Sequence, residues 1–136
     1  MHVPLYLCRM HFPEDLLYTR EHEWLRRLSD DEALVGITDF AQHELGDIVF
    51  VDIPTVGQSL SAGAVFGSVE AVKTVSDLYL PVSATILEKN SLLEDHPEKV
   101  NQDPYGEGWM IRIRIEKPEE LEQLLSAEAY RALIAQ

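Results

Sequence analysis

The stretch SVEAVKTVSD, residues 68–77, sets one lysine, Lys73, among three valines, Val69, Val72 and Val75. The valines suit a buried strand, where an uncompensated ammonium is costly to desolvate. Lys73 must therefore leave the core on a turn, or the chain needs a cation in an unusual place. A strict period of two would set Val69, Ala71, Lys73 and Val75 on one face. A tight turn over Ala71 to Thr74 with Lys73 at its tip serves the pattern better, because alternation resumes afterwards as Leu78, Leu80 and Val82. At a hairpin tip a lysine is solvated, keeps its four-carbon reach and is open to an approaching active site. An ordinary surface lysine fits the same spacing, although valine is foreign to turn chemistry, which favours Gly, Asn, Asp or Pro. The chain holds only four lysines, Lys73, Lys89, Lys99 and Lys117, so the placement is informative.

Other constellations offer less chemistry. His2, His11, His22, His43 and His96 show no metal-ligand spacing, and HEW lacks the second histidine of a zinc-binding helix. No glycine-rich phosphate loop occurs, and YGEGW reads as turn glycines beside a strand. Trp24 and Trp109 read as core or rim packing. Arg112 and Arg114 read as a solvated strand face, with partner docking left open. Cys8 is the only cysteine, so no intramolecular disulfide can form and a reducing compartment is easy to accept. The net charge of −13 argues against non-specific binding to nucleic acid or an anionic membrane, and permits steering toward basic partners. MHVPLYLCRM is too short to span a bilayer and lacks the features of a secretory signal. Residues 1–11 are expected to be a disordered extension, with Met10 an alternative start, and residues 12–136 a single domain.

The elements that must position Lys73 follow from local pattern. FPEDLLYT is a lead-in with a proline-led turn, and HEWLRRL to EALVGIT a hairpin around SDDE. Thr38 or Asp39 caps a helix over about residues 39–45, with Gln42 at capping-box spacing from Asp39, Gly46 as its stop and Phe40, Ala41 and Leu45 as its buried face. DIVFVDIP is a β-branched strand ended by Pro54, followed by a short strand in TVGQSLSAG. AVFGSVEA and TVSDLYLPVSATILEKN give further strands, and one helical turn is expected near Leu92 to Asp95. In WMIRIRI, Met110, Arg112 and Arg114 share a wet face and Trp109, Ile111, Ile113 and Ile115 a dry one. Pro118 opens a helix with a Leu121, Leu124 and Leu125 stripe, and Ser126 caps a last one using Tyr130, Leu133 and Ile134. Short strands every eight to twelve residues favour a compact sandwich or barrel over a doubly wound sheet.

GSVEAVKTVSD resembles the lipoyl-lysine hairpin of the glycine cleavage system H-protein family, where a similar E-x-V-K lysine carries lipoic acid in amide linkage. YTREHEW, VGITDFAQHELGDIVFVDIP, VGQSL and VNQDPYGEGWMIRI are similar to H-protein segments in order and at matching intervals, covering about residues 12–135. One V-K pair would carry no weight; five ordered motifs make chance similarity implausible. Ala71 stands where the family often has serine. Ala84 stands where a glycine commonly follows the lysine by eleven residues, a position that favours positive φ in relatives.

The resemblance implies a mainly β barrel-sandwich hybrid, lipoyl/biotinyl-like, with short flanking helices and a C-terminal helical segment. It implies a non-catalytic carrier, with lipoic acid attached to Lys73 by a lipoate ligase or octanoyltransferase and Glu70 recognised during attachment. The carrier would shuttle the aminomethyl group of glycine from glycine decarboxylase (P-protein) to the aminomethyltransferase (T-protein), and dihydrolipoyl dehydrogenase (L-protein) would reoxidise the arm. Glu21, Glu23 and Asp77 are then candidates for a cleft that shelters the loaded arm, their carboxylates binding its protonated amine; each also reads as a solvated charge. A cytoplasmic, bacterial monomer without nucleic-acid or membrane partners is implied. A relay protein donating lipoate to other complexes would show the same hairpin. A biotin carrier fits less well, since methionines usually flank that lysine and Val72 and Thr74 flank this one.

Overall fold

A computed structural model describes residues 11–135 of the 136-residue chain. The expected extension over residues 1–11 lies outside the described residues except for His11, which meets Tyr105 edge-on. Where apolar and polar residues alternate, the chain pairs on itself. β2 (Glu23–Arg27) and β3 (Glu32–Ile37) form the expected hairpin, and β1 (Leu17–Tyr18) adds to its edge. Trp24 faces Gly36 across the hairpin, and a Cβ on that glycine would sit only 2.7 Å from indole Cζ2. The glycine is what lets the ring lie flat there.

β5 (Ser59–Leu60), β8 (Ala84–Lys89) and β9 (Ile111–Ile115) complete a six-stranded antiparallel sheet in the order β1-β2-β3-β9-β8-β5. β4 (Ile48–Asp52), β6 (Val65–Ala71) and β7 (Val75–Tyr79) form a second, three-stranded sheet in the order β4-β6-β7. Inward residues of both, among them Leu25, Val35, Phe66, Val69, Leu78, Ile86, Ile111 and Ile113, make one core. Two sheets around one core are the expected barrel-sandwich, and burial of these side chains is its main driving force.

Of the two caps left open for helix α1 (Asp39–Leu45), Thr38 is the one used: its hydroxyl accepts from the Ala41 N–H, and Gly46, at φ 82°, donates its N–H to the Gln42 carbonyl. Gln42 reaches back to the Asp39 carboxylate through Nε2 at 2.7 Å. Phe40, Ala41 and Leu45, expected to be buried, are only half-buried, because this face looks into a cleft instead of the core. α2 (Leu92–Asp95) falls where expected, whereas α3 (Lys99–Gln102) was not anticipated. α3 is held by tertiary bonds: Asn101 accepts the Ile48 N–H and donates to the Gly46 carbonyl, tying it to the start of β4.

The expected face division of WMIRIRI needs correction at its start. Regular pairing begins at Ile111, so the period of two does not extend back to Met110, which is fully buried, or to Trp109, which is half-exposed. Farther along, Arg112 bridges Glu32 and Glu88 at 2.8 and 2.7 Å and clasps three neighbouring strands on the wet face. The Pro118 segment is a 3-10 helix, Pro118–Gln123, and α4 (Ala127–Ile134) follows with Ser126 as its cap. A second cluster, including Phe12, Leu16, Tyr18, Trp24 and Tyr130, fixes α4 against the first hairpin. Ala84 opens β8 opposite Leu60 and Ile115; His22 is the only non-glycine residue at positive φ among the described residues, so alanine at 84 meets no strain of that kind.

Thr38 serves two elements, since its hydroxyl also lies 2.8 Å from the Tyr130 hydroxyl on α4. Thr38→Ala is expected to lower stability by about 1–2 kcal/mol in denaturant titration, through the lost cap and the buried hydroxyl contact. An unchanged midpoint would show that neither bond matters.

Candidate functional site

Lys73 rides on the turn between β6 and β7, as the valine spacing requires. Glu70 and Val75 form the last cross-strand pair, and the Ala71 N–H donates to the Thr74 carbonyl at 2.8 Å. The Val72 N–H donates to the Asp47 carbonyl at 3.2 Å, so the tip is braced from outside the hairpin. Backbone bonds thus fix the turn and leave its side chains unused. Lys73 is exposed and takes part in none of the ion pairs among the described residues. Val72 and Val75 beside it are 69% and 64% exposed, an unusual state for large aliphatic side chains. Glu70 is exposed on the strand leading to the turn and does not line the neighbouring cleft.

That cleft, of about 280 Å³, is walled by α1 (Phe40, Ala41, Leu45), by the hairpin strands β6 and β7 (Val69, Ser76, Leu78) and by the segment entering β2. Glu21, Glu23 and Asp77, the three acids expected to act together, all line it. They are not equivalent. Glu21 and Asp77 are exposed, but Glu23 is only 2% exposed. The Thr19 hydroxyl donates to Glu23 Oε1 at 2.9 Å and the Tyr79 N–H to Oε2 at 3.4 Å. Burial outweighs these bonds and pushes the carboxyl up to about 8. Glu23 is thus a neutral acid near pH 7, not the solvated charge its sequence context allowed. Glu21 and Glu23 also line a second cavity of about 290 Å³, shared with Tyr18, Tyr79 and Glu120.

His22 is a site residue that its sequence context, which shows no metal-ligand spacing, does not single out. It lines the cleft at φ 72°, and its Nδ1 lies 2.8 Å from the Tyr130 hydroxyl. Burial holds its imidazole below the usual histidine range. The sequence signal is faint, because the tyrosine lies 108 residues away. Trp24 is core, as expected, with its indole N–H donating to the Pro104 carbonyl at 3.0 Å.

No helix among the described residues is long and apolar enough to cross a membrane. Comparison with known proteins bears on the whole arrangement. The family model described as glycine cleavage H-protein matches residues 16–136. The chain is 58% identical over 125 residues to the glycine cleavage system H protein of Bacteroides thetaiotaomicron, covering 92% of this chain and 98% of that one. It is 59% identical over 128 residues to the one from Chlorobium limicola, covering 93% and 100%. A crystal structure of a glycine cleavage system H protein from Mycobacterium marinum superposes with a TM-score of 0.79 at 38% identity, over 92% of this chain and all of that one. With the braced lysine hairpin, the acid-lined cleft and these matches in agreement, this chain belongs to the glycine cleavage H-protein family.

Proposed function

We propose that this chain is the lipoyl-carrying shuttle of glycine cleavage, with lipoate held in amide linkage at Lys73. The observation that carries the reading is an exposed lysine, in no ion pair among the described residues, on a turn whose own strands wall an apolar cleft. A bound lipoyl group supplies a reversible dithiol–disulfide pair on a mobile arm, suited to taking up the aminomethyl group of glycine and to later reoxidation. Lys73 supplies the anchor, and its amidation removes the charge. Phe40, Leu45, Val69 and Leu78 offer the cleft an apolar wall that keeps water from an aliphatic arm. Glu21 and Asp77 at the exposed positions attract an ammonium, and the buried Glu23 meets it as hydrogen-bond acceptor. A cation at that depth favours the ionised carboxylate, so amine capture would release the Glu23 proton.

The chain's part is positioning and shelter, as a non-catalytic carrier. Its partners are then glycine decarboxylase, the aminomethyltransferase, dihydrolipoyl dehydrogenase, and a lipoate ligase or octanoyltransferase that reads Glu70; its setting is the bacterial cytoplasm, as a monomer. Incubation with lipoate, ATP and a lipoate–protein ligase is expected to add one lipoyl amide, mapped to Lys73 by peptide mass analysis. The product should then support glycine–bicarbonate exchange with the decarboxylase. A chain left unmodified while a control carrier is lipoylated would overturn the reading. Clean acylation with no exchange would point instead to a lipoyl relay.

A further inference from the structure

The outer face of the three-stranded sheet is unusually apolar for a surface. Phe50 on β4, Glu70 on β6 and Val75 on β7 stand in one cross-strand row, and opposed residues point to the same side. Phe50 is 55% exposed, and Val49, Val65 and Val72 add further exposed aliphatic surface on these strands and their turn. Large exposed apolar groups gathered beside one reactive side chain mark a contact surface more often than chance placement does. The next row, Asp52, Ser68 and Asp77, lines a hollow of about 200 Å³. Asp52 and Asp77 lie two strand spacings apart, about 10 Å. None of Asp52, Glu70 and Asp77 joins an ion pair among the described residues. Lys73 is the only cationic residue on these three strands and the turn.

We propose that this face, centred on Phe50, Glu70 and Val75, is the seat of the lipoyl-attaching enzyme, which meets it with an apolar patch flanked by basic side chains. The inference rests on the carrier reading. Its physical ground is reach. Before modification the reactive amine has only a four-carbon stem, so the attaching enzyme must close on the strands from which Lys73 springs. Enzymes that later act at the end of a long arm need no such approach. In the attachment step the Lys73 ammonium first gives up a proton to the enzyme. The amine then attacks the carbonyl carbon of a lipoyl-adenylate made from ATP. The C–N bond forms, the bond from that carbon to the AMP oxygen breaks, AMP leaves with the electron pair, and the nitrogen sheds a second proton. Each carboxylate on the face that joins no ion pair among the described residues is available to a basic surface, and the net charge of −13 steers such an enzyme from a distance.

The test compares wild type, Phe50→Ser and Asp52→Asn as acyl acceptors for a purified lipoate–protein ligase, with ATP and lipoate in excess. Both replaced side chains are solvent-exposed, so thermal midpoints should stay near wild type and report intact folding. Phe50→Ser is expected to raise KM for the carrier about tenfold with kcat little changed. Asp52→Asn is expected to weaken the fall of kcat/KM with added salt. If wild type is acylated and both variants match it in KM and salt dependence, the docking face is wrong and the carrier reading stands. A fall in kcat at constant KM would likewise overturn it, since it would place Phe50 in lysine alignment and not in docking. If wild type itself is not acylated at Lys73, both the reading and the inference fall.

Discussion

Lys73→Arg is expected to abolish acylation outright while leaving the fold intact. Arginine keeps the positive charge and a similar apolar stem, but its guanidinium cannot be deprotonated under working conditions and forms no lipoyl amide. The side chain at 73 is exposed and joins no ion pair among the described residues, so the folded state loses no ion pair with it. Intact-mass analysis should therefore show no added lipoyl group on the variant, and glycine–bicarbonate exchange should fall to the level without carrier. Its thermal midpoint should match wild type. Residual exchange by the variant would place the attachment site elsewhere, and a large drop in midpoint would mean that the turn depends on the lysine itself. The hydrogen bonds at the tip argue against the second outcome, because they run from Ala71 to Thr74 and from Val72 to Asp47 through backbone atoms.

The second large effect concerns Glu23 and pH. Burial raises this carboxyl from an ordinary 4.5 to about 8 in the folded protein. The folded state therefore binds the proton more tightly than the unfolded chain does. Stability from this group is fully present below the unfolded value and is lost as pH rises through about 8, the reverse of a salt-bridged carboxylate. Integrated from pH 4.5, the loss amounts to roughly 3 kcal/mol by pH 7. Glu23→Gln stays neutral throughout and keeps a carbonyl oxygen that accepts one of the two donors, the Thr19 hydroxyl or the Tyr79 N–H. Across pH 5 to 9 the midpoint of wild type should decline relative to the variant by about 10 °C. Parallel curves would show that Glu23 is ionised at neutral pH despite its burial. With a charged amine in the cleft, the wild-type decline should weaken, since a nearby cation favours the carboxylate.

Much of the architecture was legible because its causes are local. Alternation fixed the β2–β3 hairpin and the dry face of β9, and the cap candidates Thr38 and Asp39 with Gly46 as stop placed α1 over about residues 39–45. Valines that could not all be buried beside a lysine placed the turn at Ala71 to Thr74. Failures arose where long-range packing decides. Met110 is buried although it precedes the regular alternation of β9, its backbone already bonded to Val35 and Asn90, and α3 exists because Asn101 finds partners at Gly46 and Ile48. Half-burial of Phe40 and Leu45 follows from a cleft that no single segment encodes.

By itself the sequence determined where an amine must protrude and which strands carry it, because desolvating an ammonium costs more than turning the chain. Only the tertiary structure decided that Asp77 meets Glu21 and Glu23, 54 or more residues before it, in one cleft and that Glu23 is a neutral acid at pH 7. It also decided that His22 leans on a tyrosine from the far end of the chain. Protonation depends on how much water the whole fold excludes, and that quantity is written in no local stretch of residues.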